Sequence, residues 1–190
     1  NVRIAPLPKM HPRRGLLDPL LAQDELGPDL TQALGIASYR GNGSPSDIYN
    51  KIIIPMSYHE SDRTFNPLLK QDLKARGDGL GVARGVLQFE PPRMKSALNR
   101  ATAILGSSAP DWIKNARKNK NYDASTLTGE QQQALAIYDL LKLKGADMLK
   151  VTNGEQSIED FWIKNWWRGE KKDEPARRKS FRSSIETMQQ

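Results

Sequence analysis

The sequence has no cysteine among its 190 residues, which excludes disulfide bonds and thiolate chemistry. It has only two histidines, His11 and His59, and neither lies near a spaced set of acidic side chains. No zinc site is therefore predicted. No apolar run approaches the roughly 20 residues that span a bilayer. We expect no membrane span, no bound metal and no cofactor.

Positive charge is in excess, with a formal net charge of +7. Such a charge attracts polyanions over a long range, and salt weakens the attraction. Bacterial cell walls and nucleic acids are both polyanionic, so charge does not decide between them. A nucleic-acid-binding module is one hypothesis, and its basic cluster is Lys114, Arg117, Lys118 and Lys120. We do not favour it, because the sequence shows no recognition helix or stacking platform and a solvated helix face has the same composition.

Residues 1–43 differ from the rest because prolines interrupt every short apolar run. Each proline removes a backbone donor and disfavours helix at the preceding residue. The pattern predicts an extended arm, with a disordered tail as the equal alternative. Its first fifteen residues carry basic side chains and no acid, a composition suited to gripping a neighbouring subunit or a polyanion. The chain starts with Asn1 and lacks a signal-peptide pattern, so we expect a trimmed chain.

A compact domain is predicted for residues 44–168. Ser44 can cap a helix, Pro45 suits its first position, and Asp47 stands three residues after the cap. The helix would run over 48–58, with Pro55 kinking or restarting it. The expected fold class is α+β and mainly helical, with one small β-hairpin sheet. Residues 169–190 are expected to form a charged C-terminal helix or tail.

Glycines and a capped helix organise the second half of this domain. The glycine-rich segment 76–81 and the apolar run 82–89 predict the hairpin. Thr128, with Gln131 three residues later, predicts a helix start, and Gly145 predicts its end.

Glu60 is the leading candidate for a catalytic residue. It follows the apolar residues of the helix over 48–58, so partial burial would keep its carboxyl group protonated near neutral pH. Proton donation to a glycosidic oxygen needs such a group. The alternative is an exposed glutamate at a helix end. A two-acid glycosidase also needs a partner roughly 5 to 9.5 Å away, and the candidates by sequence proximity are Asp62, Asp72, Asp78 and Glu90.

Three motifs occur in order along the domain: Ser-Tyr-His-Glu-Ser at 57–61, Arg-Gly-Val-Leu-Gln-Phe at 84–89, and Leu-Thr-Gly-Glu-Gln-Gln-Gln-Ala-Leu at 127–135. This order resembles lytic transglycosylases and phage lysozymes of the lambda endolysin type, which belong to the lysozyme-like superfamily. The resemblance covers about 44–168 and implies a lysozyme-like domain. Two departures are Pro55, close to the helix end, and the absence of the common Ala-Tyr-Asn-x-Gly signature.

The resemblance implies cleavage of the β-1,4 bond between N-acetylmuramic acid and N-acetylglucosamine. Glu60 would act alone as acid and base and yield a 1,6-anhydro sugar, with a hydrolytic muramidase as the second choice. Gln88 matches the family glutamine that hydrogen-bonds an acetamido or hydroxyl group. Phe89, Tyr138 and Trp166 are candidate contacts to the saccharide, but for Phe89 and Tyr138 we favour core packing. Of Trp166 and Trp167, one indole is expected in the core and the other on a sugar face.

The long arm suggests a phage virion-associated enzyme that opens the cell wall as the genome enters the cell. The expected partners are peptidoglycan glycan strands and, through residues 1–43, other virion proteins. The expected location is the tail or interior of the virion, or the host cytoplasm before the protein reaches the periplasm. A structural virion or tail adaptor with a lysozyme-like domain is the alternative from a different class.

Overall fold

The computed structural model describes residues 26–71 and 82–190. The fold is mainly helical, as predicted. Its α-helices are α1 (Pro28–Tyr39), α2 (Pro45–Ile48), α3 (Ile54–Glu60), α4 (Pro91–Leu105), α5 (Asp111–Lys118), α6 (Gly129–Lys142), α7 (Met148–Thr152), α8 (Ile158–Asn165) and α9 (Glu174–Gln189). None of these helices is long and apolar enough to cross a bilayer.

Helix α1 lies inside the segment that was predicted to be extended, and the prediction is wrong there. Pro28 occupies the first turn, where a missing N–H costs nothing. Buried residues then recur at helical spacing and pack on α6; they are Leu30, Ala33, Leu34 and Ala37. This periodicity outweighs the effect of the neighbouring prolines. Residues 1–25, which hold most of the predicted arm, lie outside the described residues.

A carboxylate from a distant part of the chain completes the start of α1. The N-cap residue, Gly27, has no side chain to accept the first N–H groups. Glu130 Oε1, on α6, accepts the Leu30 N–H at 3.2 Å instead. A Cβ atom on Gly27 would overlap Glu130 Oε2, so a larger residue there would displace this carboxylate. Helix α1 is therefore part of the folded domain.

A continuous helical segment from Pro45 leads to Glu60. The predicted cap is confirmed, because Ser44 Oγ accepts the Asp47 N–H at 3.0 Å. A π-helix, Tyr49–Ile53, joins α2 to α3, and Pro55 follows directly in the first turn of α3. The wider π-helical turn thus lies directly before Pro55, which has no backbone N–H to donate to the helix. The segment thus accommodates Pro55 and continues to Glu60.

The predicted small sheet is not found in the described residues. Arg84 makes two isolated antiparallel bridges there, one with Lys70 and one with Phe89. A turn over 85–88 separates Arg84 from Phe89 and contains Gly85 at φ +89° and Gln88 at φ +51°. The glycine-rich segment 76–81 lies outside the described residues.

Gln132, fully buried on α6, holds this turn in place. Its Oε1 accepts the Val86 N–H at 2.8 Å, and its Nε2 donates to Ala124 O at 2.9 Å and Leu127 O at 3.0 Å. The amide passes so close to Gly85 that a Cβ atom there would lie 1.9 Å from Oε1. The positive φ and the close contact both require glycine at position 85.

The charged C-terminal segment forms α9, which packs on α3 and α8. Phe181 is fully buried between them. Ion pairs from Arg178 to Glu159 and from Arg182 to Glu159, at 2.8 and 2.7 Å, tie α9 to α8. Of the two alternatives for residues 169–190, the structure shows a helix.

Replacing Gln132 with alanine should destabilise the fold by about 2 to 3 kcal/mol, because the Val86 N–H and the carbonyl groups of Pro67, Ala124 and Leu127 lose their partner. The measurement is the free energy of unfolding in urea. Gln131→Ala is the matched control; it removes one contact of the capping box on Thr128 and should cost less than about 1 kcal/mol. Equal losses in the two variants would contradict the assigned role of Gln132.

Candidate active site

An open cleft of about 860 Å³ lies at the end of α3 and contains Glu60. Its lining comes from the end of α3, the turn over 85–88 and the start of α4. The end of α8, the segment that follows it and α9 contribute the other lining residues. The lining residues are His59, Glu60, Gln71, Ala83, Gln88, Glu90, Arg93, Trp162, Trp166, Trp167, Arg168, Gly169, Glu170, Lys172, Asp173 and Arg177.

Glu60 is partly buried, and its Oε1 accepts the indole N–H of Trp162 at 2.7 Å. Burial raises the pKa of Glu60 to about 7. The Trp162 hydrogen bond and the positive charges of Arg93 and Arg177 oppose this rise, and the negative charge of Glu90 adds to it. Both the protonated and the ionised form of Glu60 are therefore populated near neutral pH. The carboxyl group can both donate and accept a proton.

Trp162 is held in place by two other rings. Phe181 stacks on it at 4.7 Å and 20°, and His59 meets it edge-on at 4.8 Å and 80°. His59 Nδ1 also hydrogen-bonds Ser184 Oγ at 2.8 Å. Burial, with the charges of Arg177 and Arg63, lowers the pKa of His59 to about 4. His59 is neutral at pH 7 and supports the Trp162 ring without contributing a charge.

Gln88 lines the cleft. Its Nε2 donates to Gly85 O at 2.9 Å and to Leu69 O at 3.3 Å. These bonds support the left-handed backbone of Gln88 itself. With Nε2 engaged, a ligand would bond to the side-chain carbonyl oxygen.

The three aromatic candidates have different positions. Phe89 and Tyr138 are each 1% exposed, do not line the cleft and lie in the core. Trp166 lines the cleft but is only 4% exposed, and its Nε1 donates to Leu87 O at 2.9 Å. Trp167 is partly buried and also lines the cleft. Trp166, the predicted saccharide contact, is therefore largely buried, and Trp167 has the more accessible ring.

The structure brings one candidate second acid to Glu60. Glu90 lines the same cleft, immediately before α4, and its charge raises the pKa of Glu60. Asp62 does not line the cleft. Asp72 and Asp78 lie outside the described residues.

Arg93 is a site residue that sequence reasoning missed. It is 4% exposed, and its guanidinium carbon lies 4.1 Å from the Trp166 ring centroid. Its Nη2 donates to Trp166 O at 3.0 Å, and its Nη1 lies 3.6 Å from Asp139 Oδ2. Burial lowers its pKa to about 10, so Arg93 remains a cation beneath the cleft.

Trp162, Arg168 and Arg177 were also missed as site residues. Trp162 meets Glu60 across 102 positions of sequence, a separation that leaves no local pattern. The tryptophan-rich helix was the available signal, because a buried indole N–H needs an acceptor.

No group of three or more histidine, cysteine or acidic side chains in the described ranges could hold a metal ion. Comparison with family models, curated proteins and solved structures gives no match to this chain.

Replacing Trp162 with phenylalanine keeps the stacked ring and removes the hydrogen bond to Glu60. The pKa of Glu60 should rise by about one, because a hydrogen bond to an ionised group is worth about 1.5 kcal/mol. The measurement is a pH titration of the labelled glutamate carboxyl carbon by NMR. Trp167→Phe is the control, since it also changes a cleft indole. An unchanged or lower pKa in Trp162→Phe would show that the hydrogen bond does not stabilise the carboxylate.

Proposed function

We propose that the protein cleaves peptidoglycan glycan strands between N-acetylmuramic acid and N-acetylglucosamine, by lytic transglycosylation. The observation that carries the proposal is Glu60, a partly buried acid with a pKa of about 7 in an open cleft. A general acid works best when its pKa lies near the working pH. The half-buried Trp167 supports a saccharide ligand, because an indole face packs on the apolar face of a sugar ring.

In the proposed reaction, Glu60 donates its proton to the glycosidic oxygen while the bond from that oxygen to the anomeric carbon breaks. The resulting carboxylate accepts the proton of the muramoyl 6-hydroxyl group as its oxygen attacks the anomeric carbon. The products are a 1,6-anhydro sugar and a new free hydroxyl group, and no water is consumed. The indole N–H of Trp162 stabilises the carboxylate between the two steps.

A hydrolytic muramidase is the second candidate, and Glu90 is the observation that favours it. Glu90 shares the cleft with Glu60 and would act as the base toward a water molecule. We favour transglycosylation because the three ordered motifs resemble that family and its reaction needs a single acid.

We infer a lysozyme-like domain over 44–168. Helix α1 packs on this domain and shortens the proposed arm. We place the protein in a phage virion, in the tail or interior, where residues preceding α1 would contact other virion proteins. A structural tail adaptor is the alternative, and it predicts no cleavage.

Digestion of purified peptidoglycan with wild type and Glu60→Gln tests the proposal. Wild type should release anhydro-muropeptides, and the variant should be at least about 100-fold slower, because it has no acid to donate a proton. The products are identified by liquid chromatography and mass spectrometry. Glu186→Gln, an exposed glutamate outside the cleft, is the matched control.

Each other outcome contradicts part of the proposal. Reducing-end products that are lost in both Glu60→Gln and Glu90→Gln would establish a muramidase. No products from wild type would contradict any cleavage and favour the adaptor.

The rate of cleavage should also fall as the pH rises above neutral. The proton donor must be protonated, so kcat/KM should fall about tenfold per pH unit as pH rises above the Glu60 pKa of about 7. The measurement is turnover of a soluble glycan strand across the pH range. A rate that keeps rising well above pH 7 would contradict Glu60 as the acid.

A further inference from the structure

Two arginines face the cleft from different segments. Arg168 follows α8 and Arg177 lies on α9, and both side chains are exposed. The positive charge of Arg177 lowers the pKa of Glu60 and of His59. The charge of Arg168 lowers the pKa of Arg93. Both arginines therefore lie at the cleft, and Arg177 is close enough to Glu60 to influence its carboxyl group.

The other basic side chains around the cleft are already engaged. Arg93 pairs with Asp139, and Lys172 lies 3.1 Å from Glu170. Within the ranges 26–71 and 82–190, neither Arg168 nor Arg177 makes an ion pair. These two cations face the cleft without an acidic partner in those ranges.

The acids of the cleft do not cancel this charge. Glu60 is partly protonated near pH 7, and Glu170 pairs with Lys172. The negative charges of Glu90 and Asp139 are balanced by two cations, Arg93 and Arg100. The negative charge of Asp173 is then outnumbered by the two positive charges of Arg168 and Arg177. The outer wall of the cleft therefore has an excess of positive charge.

We propose that Arg168 and Arg177 form a subsite for a carboxylate group of the glycan substrate. A guanidinium group binds a carboxylate through two parallel hydrogen bonds, which gives geometric selectivity as well as attraction. The inference deepens the proposed function and rests on it. The carboxylate comes either from the lactyl group of muramic acid or from an attached peptide. A strand of N-acetylglucosamine alone has neither and should bind more weakly.

The test measures binding by calorimetry in a Glu60→Gln background, which prevents turnover. The probes are chitotetraose, which is neutral, an alternating tetrasaccharide with free lactyl carboxylates, and the same tetrasaccharide carrying peptides. The variants are Arg168→Gln, Arg177→Gln and the double change. Lys179→Gln is the matched control, because it removes one exposed charge from α9 outside the cleft.

Each arginine change should weaken binding of a carboxylated probe about tenfold and change chitotetraose binding less than twofold. Loss confined to the free lactyl probe identifies the sugar carboxylate, and loss confined to the peptide-bearing probe identifies the peptide. Equal losses on the neutral and charged probes, or no loss in the double variant, would overturn the subsite.

The two proposals fail in different ways. Cleavage of peptidoglycan with no dependence on the arginines leaves the proposed function intact and overturns the subsite. Arginine-dependent binding of carboxylated probes without cleavage supports the subsite and contradicts the enzyme. Failure of the parent Glu60→Gln protein to bind any probe overturns both.

Discussion

Buried polar side chains on α6 are the constraint on which the rest of the structure depends. Glu130 binds the start of α1, and Gln132 binds the turn beside the cleft. Gln133 Nε2 donates to Ser57 Oγ on α3 at 3.1 Å, and Asp139 Oδ1 accepts from Arg100 Nη1 on α4 at 2.7 Å. A buried polar group without its partner costs more than a neutral contact stabilises, so these bonds specify where each neighbour lies.

The hydrogen bonds from α6 also determine the geometry of the cleft. Ser57 lies one turn before Glu60, and the turn held by Gln132 carries Gln88 directly before Phe89 and Glu90. Both sides of the Glu60–Glu90 pair are thus fixed to one helix. Trp162 approaches from α8 and closes the arrangement through its hydrogen bond to Glu60. The raised pKa of Glu60 is a property of this whole assembly and not of its helix alone.

Local sequence patterns predicted the parts of the fold that depend on neighbouring residues. The caps at Ser44 and Thr128 are confirmed, because the bonded atoms are three residues apart. Helix α1 was missed because proline content received more weight than the spacing of buried residues. The contacts that define the site join residues far apart in sequence, such as Trp162 and Glu60, and only packing brings them together. Glu60 could be predicted as a site residue from the sequence, because an apolar helical segment precedes it.

Helix α9 belongs to the folded domain, so the domain extends beyond residue 168. A truncation after residue 168, at the end of the motif-bearing region, would delete Phe181 and Arg177. Trp162 would lose the ring that covers one of its faces, and a newly solvated apolar surface would lie beside the reaction centre. The shortest fragment useful for crystallisation, screening or fusion to another protein must therefore keep the C-terminal helix.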